Sequence, residues 1–434
     1  MRALLASIAL LVASACGAEE PTPKHVVVIV IDSTDAGQLS AQGGLPGLTP
    51  NIDALGERGV RFTRAYSNNT WTLPSTTSLL SGQFQENHGV MTNLHRAGES
   101  LELLPEAFAR AGWKTGAYVQ MIYASETYGL GQGFGDYTYT GYNERTAQVP
   151  MAQAGLDWLD AHAGERAFLY LHFRRPHSPY DPRPKHAVEY VGPWRFGDQP
   201  APKTAQHGDI LNEAELTDAE RDDIEYLYRA NLATIDRQLE DLLAPLAERE
   251  DTLVVLTADH GEGMGQHGFY GHGARLWEEV VHIPLIYSGY GLEPREVAQP
   301  ACTVDLVPTL VELCSLDWPS SQPLDGTSLT RALRGEDLDD RAIRITGHYA
   351  PTKAKRPQAA ILRGDTGVVL DIDGEVRARD LFGAEAGTPP DALVESARQA
   401  VDRGLSNVVT NLVDDTLTEE QRAELQALGY TDGE

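Results

Sequence analysis

The sequence is poor in cysteine, in positive charge and in long apolar runs. Only three cysteines occur among 434 residues. Cys16 closes the N-terminal apolar segment, so Cys302 and Cys314 are the two in the body of the chain. The segment between them, TVDLVPTLVEL, reads as mainly helical, with Asp305 as a cap and Pro308 in the first turn. Along a helix such cysteines lie on the order of 15 Å apart at ~1.5 Å per residue. A disulfide needs about 7 Å. Both are expected as free buried thiols, neither bridged nor a metal pair. Lys and Arg total 35 against 63 Asp and Glu, a formal charge of -28. That balance excludes a nucleic-acid surface and a polybasic membrane patch. No stretch after the N-terminus is long and apolar enough to cross a bilayer. There is no internal repeat and no low-complexity tract.

What is there is an ordinary globular composition, 41% hydrophobic and 23% charged, with a mean hydropathy of -0.32. The length suits one large α/β domain with a smaller appendage. Arg2 precedes an apolar run, Ala3 to Val12, then Ala13, Ser14, Ala15 and Cys16. A charged start, a short apolar core and small residues make an export signal. The cysteine after the small residues resembles a bacterial lipoprotein box, with Ala13 where Leu is usual. Lipid anchoring through Cys16 at the bacterial cell envelope and simple secretion are the two readings. Residues 1–16 are thus taken as the signal and residues 17–24 as a tether.

Lys24–Asp32 (KHVVVIVID) is β-branched without alternation, which predicts a strand buried on both faces. Gly116–Gln120, Ala167–Phe173, Thr252–Ala258 and Ile283–Ser288 read the same way. Helical patterns fall at Ser100–Ala111 and at Asp218–Glu248, the latter long enough for two helices. Strands alternating with helices predict a mostly parallel sheet covered on both faces, with sites at the carboxyl ends of strands. Asp32 and Asp259–His260 each follow a strand end. After about Asp325 short strands (Ala342–Gly347, Gln358–Leu362, Thr366–Ile372) and helical stretches (Pro389–Arg403, Glu419–Leu428) predict a small α+β subdomain. The expected division is a catalytic domain over residues 25–330 and a C-terminal subdomain over residues 331–434.

Four segments carry chemistry. Val26–Asp32 ends in a carboxylate. Thr49-Pro50-Asn51-Ile52-Asp53 leads to Asn69-Thr70-Trp71-Thr72-Leu73-Pro74-Ser75. Pro176-His177-Ser178-Pro179-Tyr180 is the third. The fourth is Thr257-Ala258-Asp259-His260-Gly261-Glu262, with His267 and His272 beyond it. Two carboxylates and an imidazole (Asp32, Asp259, His260) make an oxygen-rich cation site. A cation there lowers the pKa of a bound hydroxyl and neutralises developing oxyanion charge. Thr72 stands where a helix begins, a position that favours anions and suits a nucleophile.

In order and spacing these segments resemble the sulfatase family of the alkaline-phosphatase superfamily, from about His25 to Leu329. The resemblance implies an alkaline-phosphatase-like α/β fold and hydrolysis of sulfate- or phosphate-type esters. It places Asp32, Thr72, Asp259 and His260 on the metal and makes Thr72 the nucleophile. His177 and His272 fall at positions that contact substrate or protonate the leaving group, and Asn93 at one that hydrogen-bonds the bound anion. The departures are specific. Where the family carries Cys or Ser, any residue, Pro, any residue, Arg, this chain has Thr72-Leu73-Pro74-Ser75-Thr76. No residue there converts to formylglycine. Many sulfatases begin with paired Asp, but here Asp32 precedes Ser33, which favours Mn²⁺, with Ca²⁺, Mg²⁺ or Zn²⁺ as alternatives; the loop Pro176-His177-Ser178-Pro179-Tyr180 resembles that of the one-metal members, which implies a single metal. The threonine resembles phosphonate and phosphodiester hydrolases more than aryl sulfatases. The expected partner is a small-molecule, glycan or lipid-linked ester. The membrane enters only through an N-terminal lipid anchor. The competing readings are a phosphotransferase to an alcohol and an inactive surface binding protein.

Overall fold

The computed structural model describes residues 22–141, 150–197, 215–273, 275–347, 358–363, 366–372, 376–380, 395, 398–399 and 418–427. The segment read as an export signal, Cys16 and nearly all of the helix expected over Pro389–Arg403 lie outside them.

Nine strands form the main sheet. They are β1 (His25–Ile31), β2 (Gly59–Tyr66), β3 (Lys114–Val119), β4 (Asp136–Tyr139), β5 (Ala167–Phe173), β6 (Thr252–Thr257) and, after the short ribbon β7 (Gly263–Met264) and β8 (Tyr270–Gly271), β9 (His282–Gly289), β10 (Arg295–Val297) and β11 (Ala301–Cys302). Their order is β10-β2-β9-β6-β1-β5-β3-β4, with β11 also paired to β2. All run parallel except β9, which is antiparallel to both β6 and β2. This is the mostly parallel, alkaline-phosphatase-like α/β sheet that the sequence predicts.

β1 lies at the centre with all seven residues buried. Alternation sends Val26, Val28 and Val30 to one core and Val27, Ile29 and Ile31 to the other. Each valine or isoleucine so buried contributes roughly 1.5–3 kcal/mol. The first face is covered by α2 (Thr72–Ser81) and α3 (Leu104–Arg110) through Leu73, Leu80, Leu104 and Phe108. The second is covered by α1 (Pro50–Glu57), α4 (Met151–Ala161) and α5 (Asp218–Ala247) through Leu55, Leu159, Leu239 and Leu243.

Several boundaries differ from the sequence expectation. The helix expected from Ser100 begins only at Leu104, because Glu106 Oε2 accepts from Leu103 N at 2.8 Å and Pro105 sits in the first turn. Asp218–Ala247 is one helix of 30 residues rather than two; Pro245 lies in its last turn and interrupts little. β2 gave no clear strand signal, because Arg61 and Arg64 break its apolar run. Cys302 and Cys314 are free and buried. Burial pushes each thiol up to about 12. Asp305 is not a side-chain cap of α6 (Leu306–Leu313). Its carboxylate accepts from Cys302 N at 2.7 Å and Thr327 N at 2.8 Å, and pairs with Arg341.

A second, antiparallel sheet follows, β12 (Ile343–Gly347), β13 (Gln358–Arg363), β14 (Thr366–Ile372) and β15 (Val376–Asp380). Ile345, Ala360 and Leu362 pack against Tyr66, Leu276 and Cys302, joining this sheet to the edge of the first.

Candidate active site

The carboxyl ends of β1, β5 and β6 bring together buried polar groups from four parts of the chain. At the end of β1, Asp32 N donates to Phe173 O at 2.9 Å, which continues the ladder one residue past the strand. Ser33 then turns with φ 55, a left-handed conformation uncommon for a non-glycine residue. Tyr228 of α5 donates its hydroxyl to Ser33 O at 2.9 Å and holds the turn. Ser33 Oγ donates to Asp32 Oδ1 at 3.0 Å and Ser33 N to Asp259 Oδ1 at 3.3 Å. The serine that replaces a second carboxylate therefore steadies the two that remain.

Thr72 is the first residue of α2, entered from an extended Trp71. Pro74 fits that first turn because its missing N–H is one the helix does not use. Thr72 Oγ1 lies 3.3 Å from His260 Nε2. His260 Nε2 lies 3.6 Å from both Asp32 Oδ1 and Asp259 Oδ2. His260 Nδ1 is 2.8 Å from Gly261 O. A carbonyl only accepts, so Nδ1 carries the proton and Nε2 turns its lone pair toward the carboxylates. Gly261 is required here, because a Cβ would stand 2.1 Å from Glu279 O.

Asp32, Thr72, Asp259 and His260 are all fully buried. Burial and the adjacent Asp259 charge push the Asp32 carboxyl well above its usual range. Asp32 Oδ2, Asp259 Oδ2 and His172 Nε2 have no hydrogen-bond partner. One ligand atom from each of Asp32, His172 and Asp259 falls within 4.8 Å of the others. Two carboxylates cannot stay ionised side by side in such a place without a compensating cation. The donor set fits a divalent metal.

His177 and His272 stand beside this cluster. His272 Nδ1 donates to Glu262 Oε1 at 3.1 Å. Its ring centroid is 4.3 Å from that of His260 and 4.9 Å from that of His177, so the three imidazoles form a row. His177 Nδ1 donates to Ser178 O. Arg174 donates to His177 O at 3.1 Å and to Asp181 Oδ1 at 2.7 Å, which braces the loop. Asn93 is half-buried in the loop after Met91, and its Oδ1 has no hydrogen-bond partner. No hydrogen bond joins it to the cluster among the described residues. His267 lies apart, paired with Glu279 at 2.9 Å and stacked on Trp277. Trp71 and Tyr180 pack into apolar clusters.

Sequence reasoning gave no role to His172, Glu262 or Arg174. Glu262 belongs to the Asp259-His260-Gly261-Glu262 segment and His172 is the one imidazole in the strand AFLYLHF, but neither pattern assigns a role. Burial pushes the His172 imidazole down to about 4, against the pull of Asp259.

The family profile described as Sulfatase matches residues 24–316. The chain belongs to the sulfatase family. It is an ester hydrolase of that family. It is 24% identical to an uncharacterised sulfatase of Escherichia coli K12, over 72% of each chain. Its fold superposes with a TM-score of 0.69 on a structure in complex with its substrate D-glucosamine-2-N,6-O-disulfate, at 18% identity over 89% of this chain and 99% of that one. A phosphonate monoester hydrolase from Silicibacter pomeroyi gives 0.66, at 21% identity over 88% and 95%. Against the formylglycine motif, this sulfatase has Thr76 in place of Arg, buried, with no partner for its hydroxyl.

Proposed function

We propose that this sulfatase hydrolyses phosphodiester- or phosphonate-monoester-type esters in preference to aryl sulfates, through a covalent ester on Thr72. The observation that carries the reading is the Thr72 hydroxyl at a helix N-terminus, 3.3 Å from His260 Nε2 and beside two buried carboxylates. Asp32, Thr72, Asp259 and His260 would hold one divalent cation, Mn²⁺ before Ca²⁺, Mg²⁺ or Zn²⁺, which would supply acidity to the hydroxyl and positive charge against the developing oxyanion. Thr72 Oγ1 attacks phosphorus (or sulfur) in line as the bond to the leaving oxygen breaks. The α2 N-terminus favours the anionic group under attack. His272, its Nδ1 held by Glu262, presents its other nitrogen to the leaving oxygen and delivers a proton. His177 lies across from it and binds the non-reacting anionic oxygens. Asn93 is assigned to the same anion. Water then attacks phosphorus, giving its proton to His272, which is neutral after the first step; the bond to Oγ1 breaks, and the departing Oγ1 takes up a proton from solvent, which restores the threonine hydroxyl. Thr72 has no carbonyl through which to expel the group by C–O cleavage, so the second displacement is obligatory. That requirement favours phosphoryl over sulfuryl transfer.

The test is a chromogenic panel (phosphate monoester, phosphodiester, phosphonate monoester, sulfate) with each metal and with chelator. Turnover should need metal and fall by at least about 10³-fold in Thr72→Ala. Undiminished turnover in that variant, or a preference for the aryl sulfate, would sink the reading. Export through residues 1–16 with lipid attachment at Cys16 belongs to the same proposal. Cys16→Ser should release the protein from the membrane fraction.

A further inference from the structure

We propose that His172 Nε2 is a direct ligand of the divalent cation, completing the coordination that a second aspartate at position 33 would otherwise supply. The inference rests on the metal-site reading above.

His172 is the last inward residue of β5 on the face that α2 covers. Phe168 and Tyr170, four and two residues before it, lie in the core cluster that also contains Leu73 of α2. Leu169, Leu171 and Phe173 face the other way. The pleat thus aims His172 at the layer in which Thr72 stands. The register pairs His172 with Val30 of β1, two residues before Asp32. An imidazole fully buried in an otherwise apolar central strand is costly unless its nitrogens are used.

One nitrogen is engaged: Nδ1 lies 3.0 Å from Tyr170 Oη. The other, Nε2, has no hydrogen-bond partner and lies 3.7 Å from Asp259 Oδ2. That separation is too long for a hydrogen bond. It matches the 3.6 Å at which His260 Nε2 stands from Asp32 Oδ1 and Asp259 Oδ2. Donor atoms that share one cation through bonds of ~2.1 Å stand about 3–3.7 Å apart, depending on the angle between them. As a ligand, His172 would carry its proton on Nδ1, donate it to Tyr170 Oη and present the Nε2 lone pair, with the outer hydrogen bond usual for a ligating histidine. Ser33 cannot take this part, since its hydroxyl is turned to Asp32. Two imidazoles in place of one move the site from calcium-like toward manganese and zinc.

The experiment counts nitrogen ligands and needs no turnover. Full-length protein is stripped, loaded with Mn²⁺ and studied by pulsed electron paramagnetic resonance with ¹⁵N-histidine and natural-abundance samples. Two coupled imidazoles, falling to one in His172→Gln, are expected. Calorimetry should show Mn²⁺ affinity weakened by more than about 100-fold in that variant, beyond the ~10–100-fold typical of an outer residue, with Ca²⁺ affinity changed less. One coupled imidazole in wild type overturns the proposal without any variant. A folded His172→Gln with an unchanged nitrogen count overturns it too. Failure of wild type to bind Mn²⁺ would overturn the metal reading on which it rests.

Discussion

His272 and Glu262 set what a single side chain contributes. The Glu262 carboxylate fixes one nitrogen of an imidazole whose ring centroid lies 4.3 Å from that of His260 and 4.9 Å from that of His177. A group that protonates a leaving oxygen matters most when that oxygen is a poor leaving group. His272→Ala is therefore expected to slow alkyl esters by roughly 10²–10⁴-fold and 4-nitrophenyl esters far less. A series of phenyl esters of rising leaving-group pKa measures this as a steeper dependence in the variant. An equal loss across the series would assign His272 to binding instead. Glu262→Gln should give an intermediate slope, because an amide can still accept from Nδ1.

At the scale of elements, α1 is capped from another helix. Its own N-cap, Thr49, makes no side-chain cap bond. Instead Asp236 of α5 accepts from Ile52 N at 2.9 Å, Asn51 N at 3.2 Å and Asn51 Nδ2 at 2.9 Å. The Thr49-Pro50-Asn51-Ile52-Asp53 segment thus docks helix to helix, and among the described residues no hydrogen bond joins it to the site. Burial pushes the Asp236 carboxyl up to about 6, against the three donors. The folded chain then holds a proton that the unfolded chain releases near pH 4. Stability conferred by that proton is lost as pH rises from about 4 to about 6, on the order of 3 kcal/mol for such a shift. Denaturant melts across this range should show the decline in wild type and a flatter profile in Asp236→Asn. Parallel profiles would refute the assignment.

At the scale of the whole molecule, the carboxyl edge of the sheet carries two buried carboxylates that repel one another. Asp32 and Asp259 follow strands β1 and β6, hydrogen-bonded neighbours. The raised Asp32 pKa means that the metal-free fold binds a proton more tightly than the unfolded chain does. Metal-free stability therefore falls as pH rises through the folded pKa, and a bound cation removes the penalty. Saturating Mn²⁺ at about a thousandfold excess over Kd should add ~4 kcal/mol. The gap in melting temperature between Mn²⁺-loaded and EDTA-treated protein should widen from pH 5 to pH 8. A gap independent of pH would mean the carboxylates are not what the cation satisfies.

By itself the sequence determined the architecture and singled out Asp32, Thr72, Asp259 and His260, which the fold brings together. Uninterrupted β-branched runs have no stable alternative to strands buried on both faces, and a polar residue just past such a strand has nowhere to go but the sheet edge. Only the tertiary structure decided which distant groups join them. His172 is silent in sequence because a lone imidazole in an apolar strand is equally a core residue; its meaning comes from the register that sets β5 beside β1. Glu262 and Asp236 gain their partners across 10 and about 185 residues of chain, and no periodicity encodes such pairings. β2 escaped notice because its arginines hide the strand pattern until β9 runs antiparallel beside it. Local chemistry selected the elements, and long-range packing selected the neighbours that make a site of them.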